Sequence, residues 1–462
     1  MMPLKRMAVK PRICCLVTFV ATFGMFLLTV DKVFKHGFVY QRFGNGGFDM
    51  DPGTFGCFTF MYYDALYNKL TVPYGYTKER ARSILSSYAH QAQEMNRTPR
   101  TLDDKPDIIC IMNESFADFR TIGTFRTNED PTPFLTSLRN STVNGFVTVS
   151  AYGGHSANSE FEFLTGGSML FVPPGMAPFM SYLNHPHDGL VRQLKRLGYT
   201  TSALAVSDME SWNKGIAYQM LGFDSMTYKH NFTHLATENI RRQVSDKSLF
   251  KKVIEEYEKR DKRVPFFVWA TTMQNHGGYT SRFDDGVRLE DPKDPEAETY
   301  LNLIHRSDSE LKRLVEYLKT QKRHIVLLMF GDHFPHIESF TTHLYGKRLA
   351  DLTLAERSRI QKTPFVIWSN RPIAPKRGVE TSLSYLSALL ADVAGLPKTE
   401  AQLELEHLRR HVPLVNGFGF MGDDGKWHAP REESEYTKYI NEYHIIHHYR
   451  LFDQWNDTQQ IK

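Results

Sequence analysis

The sequence predicts an α/β protein with a central, mostly parallel sheet covered by helices on both faces. Short apolar runs alternate with helical patterns along most of the chain, the order that crossover helices between parallel strands produce. The runs are continuously apolar, as strands buried on both faces are. Several of them run straight into polar residues able to do chemistry, and in open α/β sheets ligands bind beyond the carboxyl ends of the strands.

With 462 residues and 41% hydrophobic content, the chain can bury a large core without disulfides or structural metal. A net charge of +4 with no long basic stripe gives no sign of a nucleic-acid partner. Of the four cysteines, Cys14 and Cys15 lie in an apolar run, and Cys57 and Cys110 are isolated. No CxxC exists, so neither a zinc ribbon nor a redox motif is supported.

From the N-terminus, residues 1–12 read as a cytoplasmic basic tail carrying Lys5, Arg6, Lys10 and Arg12. Ile13 to Val30 holds no charge and would span roughly 27 Å as a helix, near the thickness of a hydrocarbon core. The basic residues before it favour a cytoplasmic N-terminus. No A-x-A-like cleavage site follows, so 13–31 is expected to be an uncleaved, single-pass transmembrane anchor. Residues 32–105 form a connecting region. In it Gly44–Gly56 reads as loop, Phe58–Leu70 as an apolar helix near the membrane surface, and Thr77–Asn96 as a helix capped by Thr77.

A catalytic domain is expected over 106–400. Its strands are Ile108–Met112, Gly145–Val149, Thr200–Val206, Phe266–Thr271, His324–Phe330 and Phe365–Trp368. Its helices include Leu190–Leu197, Ser307–Leu318 and Ser382–Ala394. Residues 401–462, charged and aromatic, are expected to form a small C-terminal subdomain. The HxxHH of His444, His447 and His448 there reads as a surface helix rather than a metal site. The N-x-[ST] matches at Asn96, Asn113, Asn140, Asn231 and Asn456 are taken as chance.

The first strand leads to Asn113-Glu114-Ser115, Phe266–Thr271 to Asn275-His276-Gly277-Gly278, and His324–Phe330 to Gly331-Asp332-His333. If these strand ends share one edge, Glu114, Asp332 and His333 supply two carboxylates and an imidazole. That set suits Mn²⁺ or Mg²⁺, with Zn²⁺ as an alternative. A glycine turn, Tyr152-Gly153-Gly154-His155-Ser156, precedes a helix start. There the free backbone N–H groups favour an alkoxide or a phosphate oxygen. A serine after two glycines is by itself most often a helix cap, and an Asp-His pair after a strand most often loop. Only the joint pattern makes Ser156 a candidate nucleophile.

That joint pattern resembles the lipoteichoic-acid synthase and phosphoglycerol transferase family, within the alkaline-phosphatase/sulfatase superfamily. The matching stretches are DIICIMNESF (107–116), YGGHSANSEFEFLTG (152–166), SWNKGIAYQMLGFDSM (211–226), TMQNHGGY (272–279), MFGDHFPHIE (329–338) and TPFVIWSN (363–370). The match as a whole covers roughly residues 75 to 450 of this sequence. The resemblance implies an alkaline-phosphatase/sulfatase-like sandwich and one divalent metal held by Glu114, Ser156, Asp332 and His333. It implies substrate binding by His276 and Trp212, and by Lys214 and His155 in place of the family's usual Arg and Lys. It further implies a phosphatidylglycerol-type lipid donor, a polymer or glycan acceptor, and a domain outside the cytoplasm on the bacterial cell membrane.

The departures are Ser156 for the usual Thr, and a missing His ahead of Trp212. Most members also have several transmembrane helices where this chain shows one. The rival readings are a phosphodiesterase or phosphatase that uses water, and a catalytically silent anchored glycan- or lipid-binding protein. Sulfatase chemistry is disfavoured, because C-x-P-x-R is absent around Cys57 and Cys110.

Overall fold

The computed structural model describes residues 14, 16–26, 28, 70–97, 101, 104–138, 142–232 and 238–460. Residues 70–172 and 176–462 group as one compact unit. Its centre is an eight-stranded sheet: β1 Asp107–Asn113, β2 Thr142–Thr148, β3 Thr200–Ala205, β4 Ser225–Thr227, β5 Phe266–Thr271, β6 Ile325–Gly331, β7 Lys362–Ser369 and β8 Lys376–Ser382. In space they run β8-β2-β7-β6-β1-β5-β3-β4. Only β7 opposes the rest, being antiparallel to both β6 and β2.

The two faces follow from strand periodicity. Ile109 and Ile111 of β1, with Leu327 and Met329 of β6, enter one core. Ile108, Cys110 and Met112, with Leu328 and Phe330, enter the other. Helices α4 (Asp246–Lys259) and α5 (Pro295–Lys319) cover the first face. Helices α2 (Ser156–Thr165), α3 (Lys214–Leu221) and α6 (Leu383–Val393) cover the second.

Every strand expected from the sequence is present, within a few residues. β4 and β8 were not anticipated. Both are edge strands with largely exposed or half-buried residues, so neither shows an apolar run. The helix expected at Ser307–Leu318 begins at Pro295, where Asp294 caps it by accepting from the N–H groups of Glu296 and Ala297. Thr77 caps α1 (Lys78–Ser87) as expected, but the helical stretch breaks at Tyr88 and resumes at Ala89–Met95.

The C-terminal residues add α7 (Glu400–His411), a three-stranded sheet from Leu414 to His428, and α8 (Thr437–Phe452). Here one expectation is corrected. The histidine-rich helix is not a surface helix: His447 is buried, as are Ile440, Tyr443, Ile445 and Ile446, because α8 packs on α1 and α7. Residues 14, 16–26 and 28 are helical, yet among the described residues no helix is long and apolar enough to cross a membrane. The expected Gly44–Gly56 loop and the helix over 58–69 lie outside the described residues.

The amino end of β1 is held by a buried ion cluster. Asp107 meets Arg260 at 3.0 Å and Arg323 at 3.1 Å, and accepts the Phe266 N–H. Removing one partner of a buried pair leaves the other charge uncompensated. Asp107→Ala is therefore expected to cost about 3–5 kcal/mol in urea unfolding, and a loss below ~1 kcal/mol would contradict this role.

Candidate active site and metal centre

β1, β5 and β6 are neighbours and parallel, so their carboxyl ends open on one edge. Asn113 pairs in register with Gly331, which sets Glu114 level with Asp332. Gly331 cannot be larger: a Cβ there would fall 1.8 Å from the Phe116 carbonyl oxygen. This close crossing is what brings the two strand ends together.

Ser115 then turns the chain through a left-handed conformation, φ 50°. Its N–H donates to Asp332 Oδ1 (2.7 Å) and its hydroxyl to Glu114 Oε1 (3.0 Å). Thr272, just past β5, accepts the Glu114 N–H. His333 sets Nδ1 2.9 Å from the Phe334 carbonyl, which assigns the proton to Nδ1 and directs Nε2 inward. Nε2 lies 3.4 Å from Glu114 Oε1 and 3.5 Å from Asp332 Oδ2. One ligand atom from each of Glu114, Asp332 and His333 falls within 4.8 Å of the others, and all three residues are buried.

Two of these atoms, Asp332 Oδ2 and His333 Nε2, are buried and have no hydrogen-bond partner. Buried polar atoms are seldom left so. Two carboxylates and an oriented imidazole with unused lone pairs fit a divalent cation.

Ser156 enters from a sharp elbow in which Gly153, Gly154 and His155 all have positive φ. The elbow is tied down by the Gly153 N–H to the Phe334 carbonyl, and Ser159 Oγ donates to the Asp332 carbonyl. The Ser156 hydroxyl donates to Glu114 Oε2 at 3.1 Å. Backbone strain of this kind gathers at functional sites. Ser115, His155, Trp212 and Asn213 are four of the six non-glycine residues with positive φ among those described.

The charges in this cluster depend on one another. Burial opposes ionisation of Glu114, but His333 outweighs it and holds the carboxyl down to about 2. Burial lifts Asp332 to about 7, and Glu114 adds to the rise. Burial works against the His333 imidazolium, yet Asp332 and Glu114 raise it to about 9.

The remaining candidates divide. His276 is exposed and near enough for its charge to favour ionised Glu114. The His155 and Trp212 rings stand 5.0 Å apart. Lys214 does not join this group: it is buried, its ammonium 2.8 Å from Glu160. Sequence reasoning passed over Ser115 and Thr272, and also a buried polar network under the site. In it Asn113 donates to Asp246, Ser307 donates to Asp246, and Asn275 donates to Asn113. Asn113, Ser115 and Asn275 stood inside the matched motifs and could have been marked. Asp246 and Ser307 carry no local signal.

Comparison with known proteins gives a match to the sulfatase family model over residues 106–396. A protein of Rhizobium meliloti named for cyclic β-1,2-glucan modification is 27% identical over 369 residues, 77% of this chain and 56% of the relative. The capsular polysaccharide biosynthesis protein RkpI of the same organism is 29% identical over 244 residues, 52% of this chain and 43% of the relative. The chain thus spans about half the length of the curated relatives it matches. Among solved structures, the phosphoglycerol transferase GacH of Streptococcus pyogenes, in complex with sn-glycerol-1-phosphate, superposes with a TM-score of 0.67. It is 18% identical, with 85% of this chain and 98% of that one covered. The lipoteichoic acid synthase LtaP of Listeria monocytogenes gives 0.53 at 16% identity, with 80% and 98% covered. These likenesses establish a shared fold.

Two outcomes are expected. Gly331→Ala, which forces the strand ends apart, should lower affinity for Mn²⁺ in calorimetry by at least about tenfold while the protein stays folded. The sign of the pH effect follows from His333: its imidazole keeps a proton up to about pH 9, and a cation must displace it. Affinity for Mn²⁺ should therefore rise with pH between 7 and 9, by up to about tenfold per unit. A flat profile would contradict the assignment of His333 as a ligand.

Proposed function

This chain belongs to the sulfatase family, and we propose that it is a membrane-anchored, metal-dependent phosphoglycerol transferase acting outside the cytoplasm of a bacterial cell. The observation that carries the reading is the Ser156 hydroxyl on Glu114, beside the buried Glu114, Asp332 and His333 group.

Glu114, Asp332, His333 and the Ser156 oxygen would hold Mn²⁺ or Mg²⁺, with Zn²⁺ as the alternative; when bound, the ion lowers the serine hydroxyl pKa and neutralises phosphate charge. Ser156 Oγ attacks the phosphorus of a phosphatidylglycerol-type diester. The bond to the glyceride oxygen breaks, diacylglycerol leaves, and a glycerophosphoryl-serine forms. The amide N–H groups at the start of α2 and the imidazoles of His276 and His155 face the phosphate oxygens, and Trp212 borders the glycerol. A glycan hydroxyl then attacks phosphorus and Ser156 is released.

The relatives named for glucan modification and capsular polysaccharide biosynthesis favour a glycan as acceptor. The structural neighbour in complex with sn-glycerol-1-phosphate favours the transferred group. An anchor over 13–31 would keep the site beside its lipid donor. The reading carries with it a connecting region over 32–105, a catalytic domain over 106–400 and a C-terminal subdomain over 401–462. The exposed position of His276 leaves the site open to water, which is what favours a phosphodiesterase as the second reading.

The test is phosphatidylglycerol labelled in its head group, offered with Mn²⁺ and with or without a cyclic glucan. Label should move to the glucan, and Ser156→Ala should lower the rate by at least about 10³-fold with folding intact. Label recovered only as free glycerol phosphate would replace the transferase with a hydrolase. Full turnover by Ser156→Ala would remove the nucleophile.

A further inference from the structure

Lys214 aligns with the cation expected to hold substrate phosphate, yet its side chain is only 4% exposed and its ammonium faces Glu160, whose side chain is fully buried. Glu160 lies one turn beyond Ser156 on the helix that carries the nucleophile. Besides Lys214, its carboxylate accepts from Tyr218 Oη and from Trp269 Nε1. One buried acid thus joins three elements. These are α2 with Ser156, β5 with its loop to His276, and the start of α3. Lys214 is the first residue of α3, directly after Trp212 and Asn213, both left-handed with φ 55° and 57°. The Asn213 amide donates to the Phe179 carbonyl, and the Trp212 ring leans on His155, the residue before Ser156.

We propose that Lys214 is a positioning and specificity residue: its ion pair with Glu160 locks the strained Trp212–Asn213 turn against the nucleophile helix, and so shapes the pocket for the glycerol side of the substrate without touching phosphate. A buried acid needs a cation, and the backbone cost of two consecutive left-handed non-glycine residues needs a structure that holds them. The pair answers both needs at one point. Phosphate contacts then fall to His276, His155 and the amides of α2.

The inference rests on the proposed glycerol-phosphate specificity, and two readouts separate them. The first is the dissociation constant of glycerol phosphate for the Mn²⁺-loaded protein, in the wild type, E160Q, K214M and E160Q/K214M. Positioning predicts that E160Q weakens binding by on the order of tenfold, since it breaks the lock and leaves a buried ammonium unpaired. K214M should do the same, and the two losses should not add in E160Q/K214M, because either change alone removes the pair. Direct contact with phosphate predicts the opposite for E160Q: it frees the ammonium and binds as well or better, while K214M binds more weakly. That result would overturn the proposal.

The second readout needs no ligand. Hydrogen exchange of peptides covering 208–216 should quicken in E160Q while those covering 400–411 stay unchanged. Unaltered exchange at 208–216 would equally overturn the lock. If the wild type fails to bind glycerol phosphate but exchange behaves as stated, the functional reading falls and the lock stands.

Discussion

Two carboxylates and an imidazole are packed together inside this protein, away from water, and much of the structure exists to make that tolerable. Two like charges about 4 Å apart repel by on the order of 4 kcal/mol even at an effective dielectric constant near 20. The structure answers with directed hydrogen bonds. The Ser115 N–H and hydroxyl and the Ser156 hydroxyl donate to Glu114 or Asp332, and the His333 ring stands beside both carboxylates without a hydrogen bond to either. Two lone-pair atoms still remain unsatisfied. A group so costly to bury, with ligand atoms this close together, fits a divalent cation.

The sheet supplies the rigidity this requires. Glu114 and Asp332, at the ends of β1 and β6, stand level because their strands are in register. They stand close because Gly331 lets the Phe116 carbonyl pass where any side chain would sit. Helix α2, which begins at Ser156, is fastened to the same point through Ser159 on the Asp332 carbonyl. Below, the Asn113–Asp246–Ser307–Asn275 network links the residue before Glu114 to the residue before His276. The strain at Ser115, His155 and Trp212–Asn213 is held by hydrogen bonds from Ser115 and Asn213 and by the contact of the His155 and Trp212 rings.

The central strands and the four converging residues were legible in the sequence, and for the same reason. A strand buried on both faces must be continuously apolar, so a Glu or Asp-His at its end stands out. The edge strands β4 and β8 were not legible, because strands half in solvent need no apolar run. Lys214 was expected at the phosphate from its position in a motif, and its side chain is instead buried against Glu160. Proximity to Glu160 depends on how α2 and α3 pack, which no local pattern encodes. The same limit hid the burial of His447, since apolar and polar residues are mixed around α8 and mark no single face for α1 and α7 to cover. Asp246 and Ser307 sit far from the motifs and act only through contacts across the sheet face.

All of this turns on four side chains sharing one ion. The direct measurement is anomalous diffraction from crystals of the protein grown with Mn²⁺. One strong peak is expected, with Ser156 Oγ, His333 Nε2 and an oxygen each of Glu114 and Asp332 at about 2.0–2.5 Å. A saturating Mn²⁺ concentration that leaves this place empty, or a peak with Ser156 out of reach, would contradict the account.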